Sequence, residues 1–189
     1  MRVLRLLATL APLLAAVTAE GASFTLDARQ VQDAVEAGER SVTQDGLGDE
    51  WHVRNAAGEE LVVMTPFRRV ALAARQAAFR KTRLSPRDRD RALREQQDRL
   101  VFWVELKGRR EDFARFYAAR LIAGARRVEP AFAQNERSAA RREDGAWVAR
   151  CIYAFPTKAL SGTARVVLVV RDGDGRDVSS FTIDLASMR

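Results

Sequence analysis

The chain has 189 residues, of which 47% are hydrophobic and 30% charged, and its formal net charge is +7. This hydrophobic fraction excludes a disordered chain, and the length excludes a large multidomain enzyme. Cys151 and His52 are the only cysteine and the only histidine. A disulfide framework, a structural zinc site and an iron–sulfur cluster are therefore excluded by residue count. Neither the GxxxxGK[ST] nor the GxGxxG phosphate fingerprint occurs. We expect no metal and no cofactor.

The amino-terminal segment has the pattern of an export signal. Arg2 and Arg5 precede an uncharged, largely apolar run from Leu6 to Ala19. This run is too short to span a membrane comfortably, and Val17 and Ala19 occupy the small-residue positions of a signal-peptidase site. We expect a signal peptide over residues 1–19, with cleavage after Ala22 as the second choice and retention as a membrane anchor as the alternative. No later segment is apolar enough to cross a bilayer, so the mature protein is predicted to be periplasmic or secreted.

The charge is unevenly distributed along the chain. Residues 20–67 contain three basic and ten acidic residues (−7), residues 68–127 contain eighteen and seven (+11), and residues 128–189 are close to neutral (+1). The basic centre either binds an anionic partner or packs against the acidic amino-terminal part. Only three of the 32 basic residues are lysines, which indicates GC-rich coding, so the arginine content alone does not predict nucleic-acid binding. We expect an envelope protein or an anionic envelope polymer as the partner, and no nucleic acid.

Two elements are predicted in the acidic amino-terminal part. Asp27 can cap a helix that runs from about Ala28 to Val42 with its apolar residues on one face. Residues 51–55 and 59–64 then read as two short strands joined through Asn55-Ala56-Ala57-Gly58. This pattern predicts a hairpin.

A second helix is predicted from Pro66 to about Lys81. Thr65 can accept a hydrogen bond from an orphan amide, and proline suits the first helical position, where no donor is needed. One face is apolar and predicted to be core, and it contains Phe67, Val70, Ala71, Ala74 and Ala78. The opposite face contains Arg69, Gln76, Arg80 and Arg83.

Ser85 and Pro86 begin a third helix, predicted to run to about Leu100. It has four pairs of opposite charges four residues apart: Asp90 with Arg94, Arg91 with Glu95, Arg94 with Asp98, and Glu95 with Arg99. Such pairs contribute only about 0.2–0.5 kcal/mol each, so we expect an exposed, self-neutralising helix, with a partner-docking helix as the alternative. The candidate binding residues on the basic stripe of the two helices are Arg69, Arg80, Arg83 and Arg87.

From Leu100 onwards the pattern changes to alternation and short apolar runs. Strands are predicted over residues 100–107, 120–123, 127–134, 146–155, 164–171 and 178–185, and a helical turn over residues 110–117 is predicted to bury Phe113, Phe116 and Tyr117. This spacing is typical of a small antiparallel sandwich, of which the immunoglobulin-like form is one type. We expect an α+β fold: a helical part with a short hairpin over residues 20–99, and a β-sandwich-like part over residues 100–189. The two parts are either separate or one continuous domain.

Nucleophilic chemistry in this chain would depend on Cys151 or a serine, with His52 as the one available histidine. Alternation places Cys151 on the same strand face as Trp147, Tyr153 and Phe155, a neighbourhood that buries a thiol and raises its pKa. We therefore predict an inert, buried cysteine. A catalytic Cys151, or a catalytic serine, would have to use His52 as its base, and no GxSxG elbow occurs.

The acidic stretch Asp172-Gly173-Asp174-Gly175-Arg176-Asp177 resembles a calcium loop only superficially. Its fifth position is Arg176 and its twelfth is Ile183, where an EF-hand needs oxygen ligands. Asp-Gly between two strands predicts a hairpin turn instead. The sequence as a whole predicts an exported bacterial protein that acts as a non-catalytic binding or structural module of the cell envelope. A small hydrolase or transferase that uses Cys151 or a serine with His52 is the alternative.

Overall fold

The computed structural model describes residues 21–44 and 46–189, so the predicted signal peptide lies outside the described residues. The described part contains three α-helices and ten strands, which is the mixed α+β class that the sequence predicts. The helices are α1 (Ala28–Arg40), α2 (Pro66–Phe79) and α3 (Pro86–Gln96). The strands are β1 (His52–Arg54), β2 (Glu60–Met64), β3 (Arg99–Gly108), β4 (Ala118–Ala123), β5 (Arg126–Val128), β6 (Phe132–Asn135), β7 (Ala140–Arg141), β8 (Trp147–Pro156), β9 (Arg165–Arg171) and β10 (Asp177–Asp184).

The strands form two antiparallel sheets. The first sheet has the order β1-β2-β3-β8-β6, and β7 also pairs with β8. The second sheet has the order β10-β9-β4-β5. The predicted hairpin is confirmed as β1 and β2, and β2 pairs with β3 from Glu60↔Glu105 to Met64↔Val101. Residues on both sides of position 99 therefore share the first sheet, and buried side chains of both sheets lie in one hydrophobic core.

The longest ladder joins β3 to β8, from Arg99↔Pro156 to Gly108↔Trp147. Along β3, alternate side chains point to opposite faces of the sheet. Leu100, Phe102, Val104 and Leu106 are buried in the core. Trp103 belongs to the other face, because it lies between Phe102 and Val104. One strand thus builds the core and presents an outward surface.

The second sheet is centred on β9, which lies between β10 and β4. Val166 to Val170 of β9 are apolar on both faces, as suits a strand between two others, and β10 alternates buried Phe181 and Ile183 with exposed Thr182 and Asp184. The predicted turn before β10 is also confirmed. Asp172 Oδ1 accepts the backbone N–H groups of Asp174 and Arg176, each at 3.0 Å.

The three predicted helix starts are confirmed by their capping bonds. Asp27 Oδ1 accepts the N–H of Gln30 at 2.8 Å, Thr65 Oγ1 that of Arg68 at 3.2 Å, and Ser85 Oγ that of Asp88 at 3.1 Å. Each helix ends earlier than predicted. After α1 the chain tightens into a 3-10 turn, Ser41–Thr43. After α3, Asp98 has a φ of +58°, and Arg99 already belongs to β3.

Helices α1 and α2 approach each other at Gly38. A Cβ at this position would lie 2.1 Å from the carbonyl oxygen of Ala71 and 2.8 Å from the Cβ of Ala74. Only glycine permits this backbone separation, because any side chain would have to displace α2. The small residues of the apolar face of α2 therefore have a packing role.

Three finer expectations are wrong. The predicted strand over residues 127–134 divides into β5 of the second sheet and β6 of the first, because Pro130 has no N–H to continue a ladder. Phe116 is 72% exposed, since residues 110–117 form turns and no helix buries it. None of the four charge pairs predicted on α3 forms within the described part. Packing against α2 instead pairs Glu95 with Arg69, and Arg91 pairs with Asp88.

Trp51 joins the hairpin to α2 and to the last residue described. Its Nε1–H lies 3.2 Å from both Thr65 Oγ1 and the main-chain oxygen of Arg189, and Thr65 donates its own hydroxyl proton to that oxygen at 2.6 Å. The guanidinium groups of Arg68 and Arg189 lie 5.9 and 5.7 Å from the centre of the indole ring. The fully buried indole thus has its single donor satisfied, as a buried tryptophan requires.

Glu59 joins the two sheets. This carboxylate is buried, and it accepts hydrogen bonds from Asn55 Nδ2 at 2.8 Å and from Ser179 Oγ of β10 at 2.5 Å. Its other oxygen accepts the backbone N–H of Lys107 in β3 at 2.9 Å. The two carboxylate oxygens therefore satisfy donors from the hairpin and from both sheets.

Replacing Glu59 by alanine should lower the free energy of unfolding by about 2 kcal/mol, because three donors then lose this acceptor at a part-buried position. Urea denaturation followed by circular dichroism measures this change. Glu60→Ala is the matched control. It removes an exposed partner of Arg54, and such pairs contribute at most about 1 kcal/mol. Equal losses in the two variants would contradict the role of Glu59.

Candidate functional site

Helices α2 and α3 pack against each other and enclose a groove of about 450 Å³ that reaches β3. Leu72, Ala73, Leu84, Ala92 and Trp103 contribute its apolar lining. Its polar lining consists of Arg69, Gln76, Arg80, Asp88, Arg91 and Glu95. A groove with apolar walls and several guanidinium groups can hold an extended ligand that carries negative charge.

Trp103 is 44% exposed and also lines a second depression of about 450 Å³, on the first sheet. The ladder register aligns His52, Val62, Trp103 and Ile152 in one row across β1, β2, β3 and β8. Trp103 was missed in the sequence reasoning. The signal that could have found it is the alternation of β3, which places a large aromatic residue on the face opposite the core.

The turn between α2 and α3 is defined by backbone hydrogen bonds. The N–H of Lys81 donates to the carbonyl of Ala78 at 2.8 Å, and the N–H of Thr82 donates to that of Ala77 at 3.0 Å. This is the Schellman arrangement, in which the residue after the C-cap is left-handed and usually glycine. Here that residue is Lys81, with a φ of +57°.

Four cations surround this turn: Arg80, Lys81, Arg83 and Arg87. All four are exposed, and none forms an ion pair with another residue that the structure describes. Phe79 is 58% exposed beside them, with the guanidinium of Arg75 lying 5.3 Å from its ring centre. We call this surface, from Phe79 to Arg87, the basic turn.

The four predicted binding arginines have different positions. Arg69 lines the groove, Arg80 lines the groove and also belongs to the basic turn, and Arg83 and Arg87 belong to the basic turn alone. Arg69 pairs with Glu95 across the groove, so its charge is already neutralised. Lys81, which the sequence reasoning did not select, lies between Arg80 and Arg83.

Cys151 and His52 both line the depression on the first sheet, but they do not lie within hydrogen-bond reach of each other. Cys151 is 1% exposed and belongs to the buried core, whereas His52 lies exposed on β1. Strands β2 and β3 separate β1 from β8, which corresponds to about 14 Å at the usual strand spacing. His52 therefore does not serve as a base for this thiol.

Cys151 lies beside a buried polar network. The hydroxyl of Tyr153 donates to Asn135 Oδ1 at 2.8 Å, and Asn135 Nδ2 donates to the carbonyl of Tyr117 at 2.6 Å. Burial raises the pKa of the Cys151 thiol and also the pKa of Tyr153. The neutral forms of both groups are therefore favoured in the fold.

Within the described part of the chain, no three side chains of histidine, cysteine, aspartate or glutamate are grouped so as to hold a metal ion. Over the same residues, no helix is long and apolar enough to cross a membrane.

No protein-family model matches the chain, and no curated protein matches it. A crystal structure of a novel protein of unknown function from Burkholderia pseudomallei K96243 is similar at 11% sequence identity. The match covers 84% of this chain and 86% of that one, with a TM-score of 0.40.

The free energy of unfolding should fall as the pH rises above about 9. In the unfolded chain Cys151 and Tyr153 lose their protons near pH 8.5 and 10, whereas burial keeps them protonated in the fold to higher pH. The stability they contribute is therefore complete at neutral pH and is lost with increasing pH.

Urea denaturation between pH 7 and pH 11 measures this decline, and the double variant Cys151→Ala, Tyr153→Phe should flatten it. If the free energy of unfolding of the double variant falls with pH as steeply as that of the unmodified protein, Cys151 and Tyr153 are not the cause of the decline.

Proposed function

We propose that the protein is an exported, non-catalytic binding module of the cell envelope, and that its basic turn and the adjoining groove bind an anionic envelope polymer. The observation that carries this proposal is the group of four exposed cations, Arg80, Lys81, Arg83 and Arg87, none of which pairs with another described residue. The other two arginines that line the groove form ion pairs, Arg69 with Glu95 and Arg91 with Asp88. The turn therefore groups four positive charges that no described acidic residue neutralises.

Charge complementarity favours a polymer over a small anion. The four cations lie on consecutive segments, from the end of α2 through the turn to the start of α3, so several negative groups along one chain can be contacted at once. Each contact is weak in water, but a polymer sums them and releases its counterions on binding. An envelope protein with an acidic segment is the second kind of partner that this surface would suit.

Export rests on the amino-terminal pattern of Arg2, Arg5 and the apolar run that ends at Ala19. Location in the periplasm or outside the cell would bring the basic turn into contact with anionic envelope polymers. Folding in that compartment would require no disulfide, because the chain has one cysteine, and its thiol is buried.

For the scaffold, we propose that the two antiparallel sheets stack as a sandwich. The support is that inward residues of both sheets, such as Phe102 and Leu168, belong to one core. Within this proposal, the immunoglobulin-like fold is the specific type of sandwich that we expect. In this arrangement α2 and α3 attach to the first sheet, where Gln96 Nε2 donates to the carbonyl of Met64.

Binding to a phosphorylated polymer should be strong at low salt and should depend on the basic turn. The triple variant Arg80→Ser, Arg83→Ser, Arg87→Ser should elute from phosphocellulose at much lower salt than the unmodified protein. Its slope of log binding constant against log salt should decrease by about 2, as three lost contacts imply for a flexible polyanion.

The matched control removes the same charge elsewhere, with Arg126→Ser, Arg127→Ser and Arg137→Ser. These arginines are also exposed and form no ion pair with another described residue. The control should elute near the unmodified protein. Equal shifts in the two variants, or retention that does not change with salt, would refute a polymer site at the turn.

The substitution Lys81→Gly should change stability and binding in opposite directions, so the two effects can be told apart. Relieving a left-handed non-glycine residue should raise the free energy of unfolding by about 1 kcal/mol, while the loss of the cation should weaken retention on phosphocellulose. Asp98→Gly is the control, because Asp98 is also left-handed but is acidic. The Asp98→Gly protein should be more stable than the unmodified protein, and its retention on phosphocellulose should not be weaker. A Lys81→Gly protein that binds as well as the unmodified chain would show that this cation takes no part.

A further inference from the structure

We infer that export processing cuts the chain after Ala19, so that Gly21 and Ala22 remain in the mature protein as part of its folded core. This inference rests on the export component of the proposed function, and it adds the packing of Gly21 and Ala22 as the ground for choosing between two cleavage positions. The two cleavage positions that the sequence allows, after Ala19 and after Ala22, differ in whether the mature chain keeps these two residues.

Ala22 belongs to the core. It is 3% exposed, and its N–H donates to the carbonyl of Leu185 at 2.8 Å. The N–H of Leu185 in turn donates to the carbonyl of Ala164 at 3.1 Å. Ala22 therefore extends the hydrogen bonding at the end of β9 and β10. The next residues continue the contact, because Phe24 and Leu26 pack against the same core.

The backbone of this segment is in direct contact with Gly162. A Cβ on Gly162 would lie 2.0 Å from the carbonyl oxygen of Ala22, and a Cβ on Gly21 would lie 2.4 Å from the carbonyl oxygen of Gly162. Two glycines thus permit two chain segments to touch without side chains between them. A cut after Ala22 would remove one side of this contact and the hydrogen bond to Leu185.

The small-residue pattern agrees with the packing. A cut after Ala19 places Val17 and Ala19 at the two positions where signal peptidase requires small side chains. A cut after Ala22 would place Glu20, a charged residue, at the first of these positions. The small-residue pattern and the packing of Gly21 and Ala22 therefore both favour cleavage after Ala19.

The direct test expresses the full chain in a bacterium and determines the mass and amino-terminal sequence of the protein recovered from the periplasm or the medium. We expect a chain that begins at Glu20. An exported chain that begins at Ser23, or that keeps its leader, overturns the cleavage site while leaving the polymer-binding proposal intact. A full-length chain confined to the cytoplasm overturns export itself, and with it this inference.

A second test measures whether residues 20–22 belong to the fold. Proteins that begin at Glu20 and at Ser23 are prepared by removing a tag, and their thermal unfolding is compared. The shorter protein should melt about 2–4 °C lower, because it loses a hydrogen bond to Leu185 and a buried alanine side chain. Equal melting temperatures would overturn the inference.

The substitution Gly162→Ala tests the contact between Gly162 and Ala22 in both the longer and the shorter protein. In the protein that begins at Glu20 the added methyl group meets the carbonyl of Ala22, so the melting temperature should fall by several degrees. In the protein that begins at Ser23 that carbonyl is absent, and the same substitution should have a much smaller effect. Gly173→Ala is the control, because its Cβ would make only an ordinary contact of 3.5 Å with Phe116. The same loss for Gly162→Ala in both proteins would overturn the contact.

Discussion

The alternation of β3 is the constraint on which the rest of the structure depends. Paired with β8 along its whole length, this strand sends Leu100, Phe102, Val104 and Leu106 into the core. The geometry of a strand then requires the residues between them to lie on the opposite face. That is why Trp103 is available to line both the helical groove and the depression on the sheet. A shift of one residue in the β3–β8 register would bury Trp103 and expose the core.

Two buried polar groups hold distant parts of the chain against this ladder. Trp51 connects the hairpin to Thr65 at the start of α2 and to Arg189, and Glu59 connects the hairpin to Ser179 in the second sheet. In both cases the buried polar atoms have their partners, so neither carries the penalty of an unsatisfied group. Helix α2 is therefore fixed at its amino-terminal end, and the basic turn at its other end is carried on a supported element.

The charge of the basic turn results from the way the helices end and begin. The turn closes through backbone hydrogen bonds of Lys81 and Thr82, and α3 begins on the hydroxyl of Ser85. None of these bonds uses a cationic side chain. The acidic residues of α3 are occupied elsewhere, as Glu95 pairs with Arg69 and Asp88 with Arg91. Since no acidic residue in the described part of the chain pairs with the cations at the turn, they can meet an external anion, which is the basis of the proposed polymer site.

The sequence by itself determined the features that depend on near neighbours: the helix starts at Asp27, Thr65 and Ser85, the hairpin turns, and the alternation of β3 and β10. Each is set by hydrogen bonds or side-chain periodicity within a few residues, so the local pattern is sufficient. Only the tertiary structure decided which strands are neighbours. It divided residues 127–134 between two sheets, separated His52 from Cys151, and brought Glu59 to Ser179. Such contacts join residues far apart in the chain and depend on how the sheets assemble, which no local pattern records.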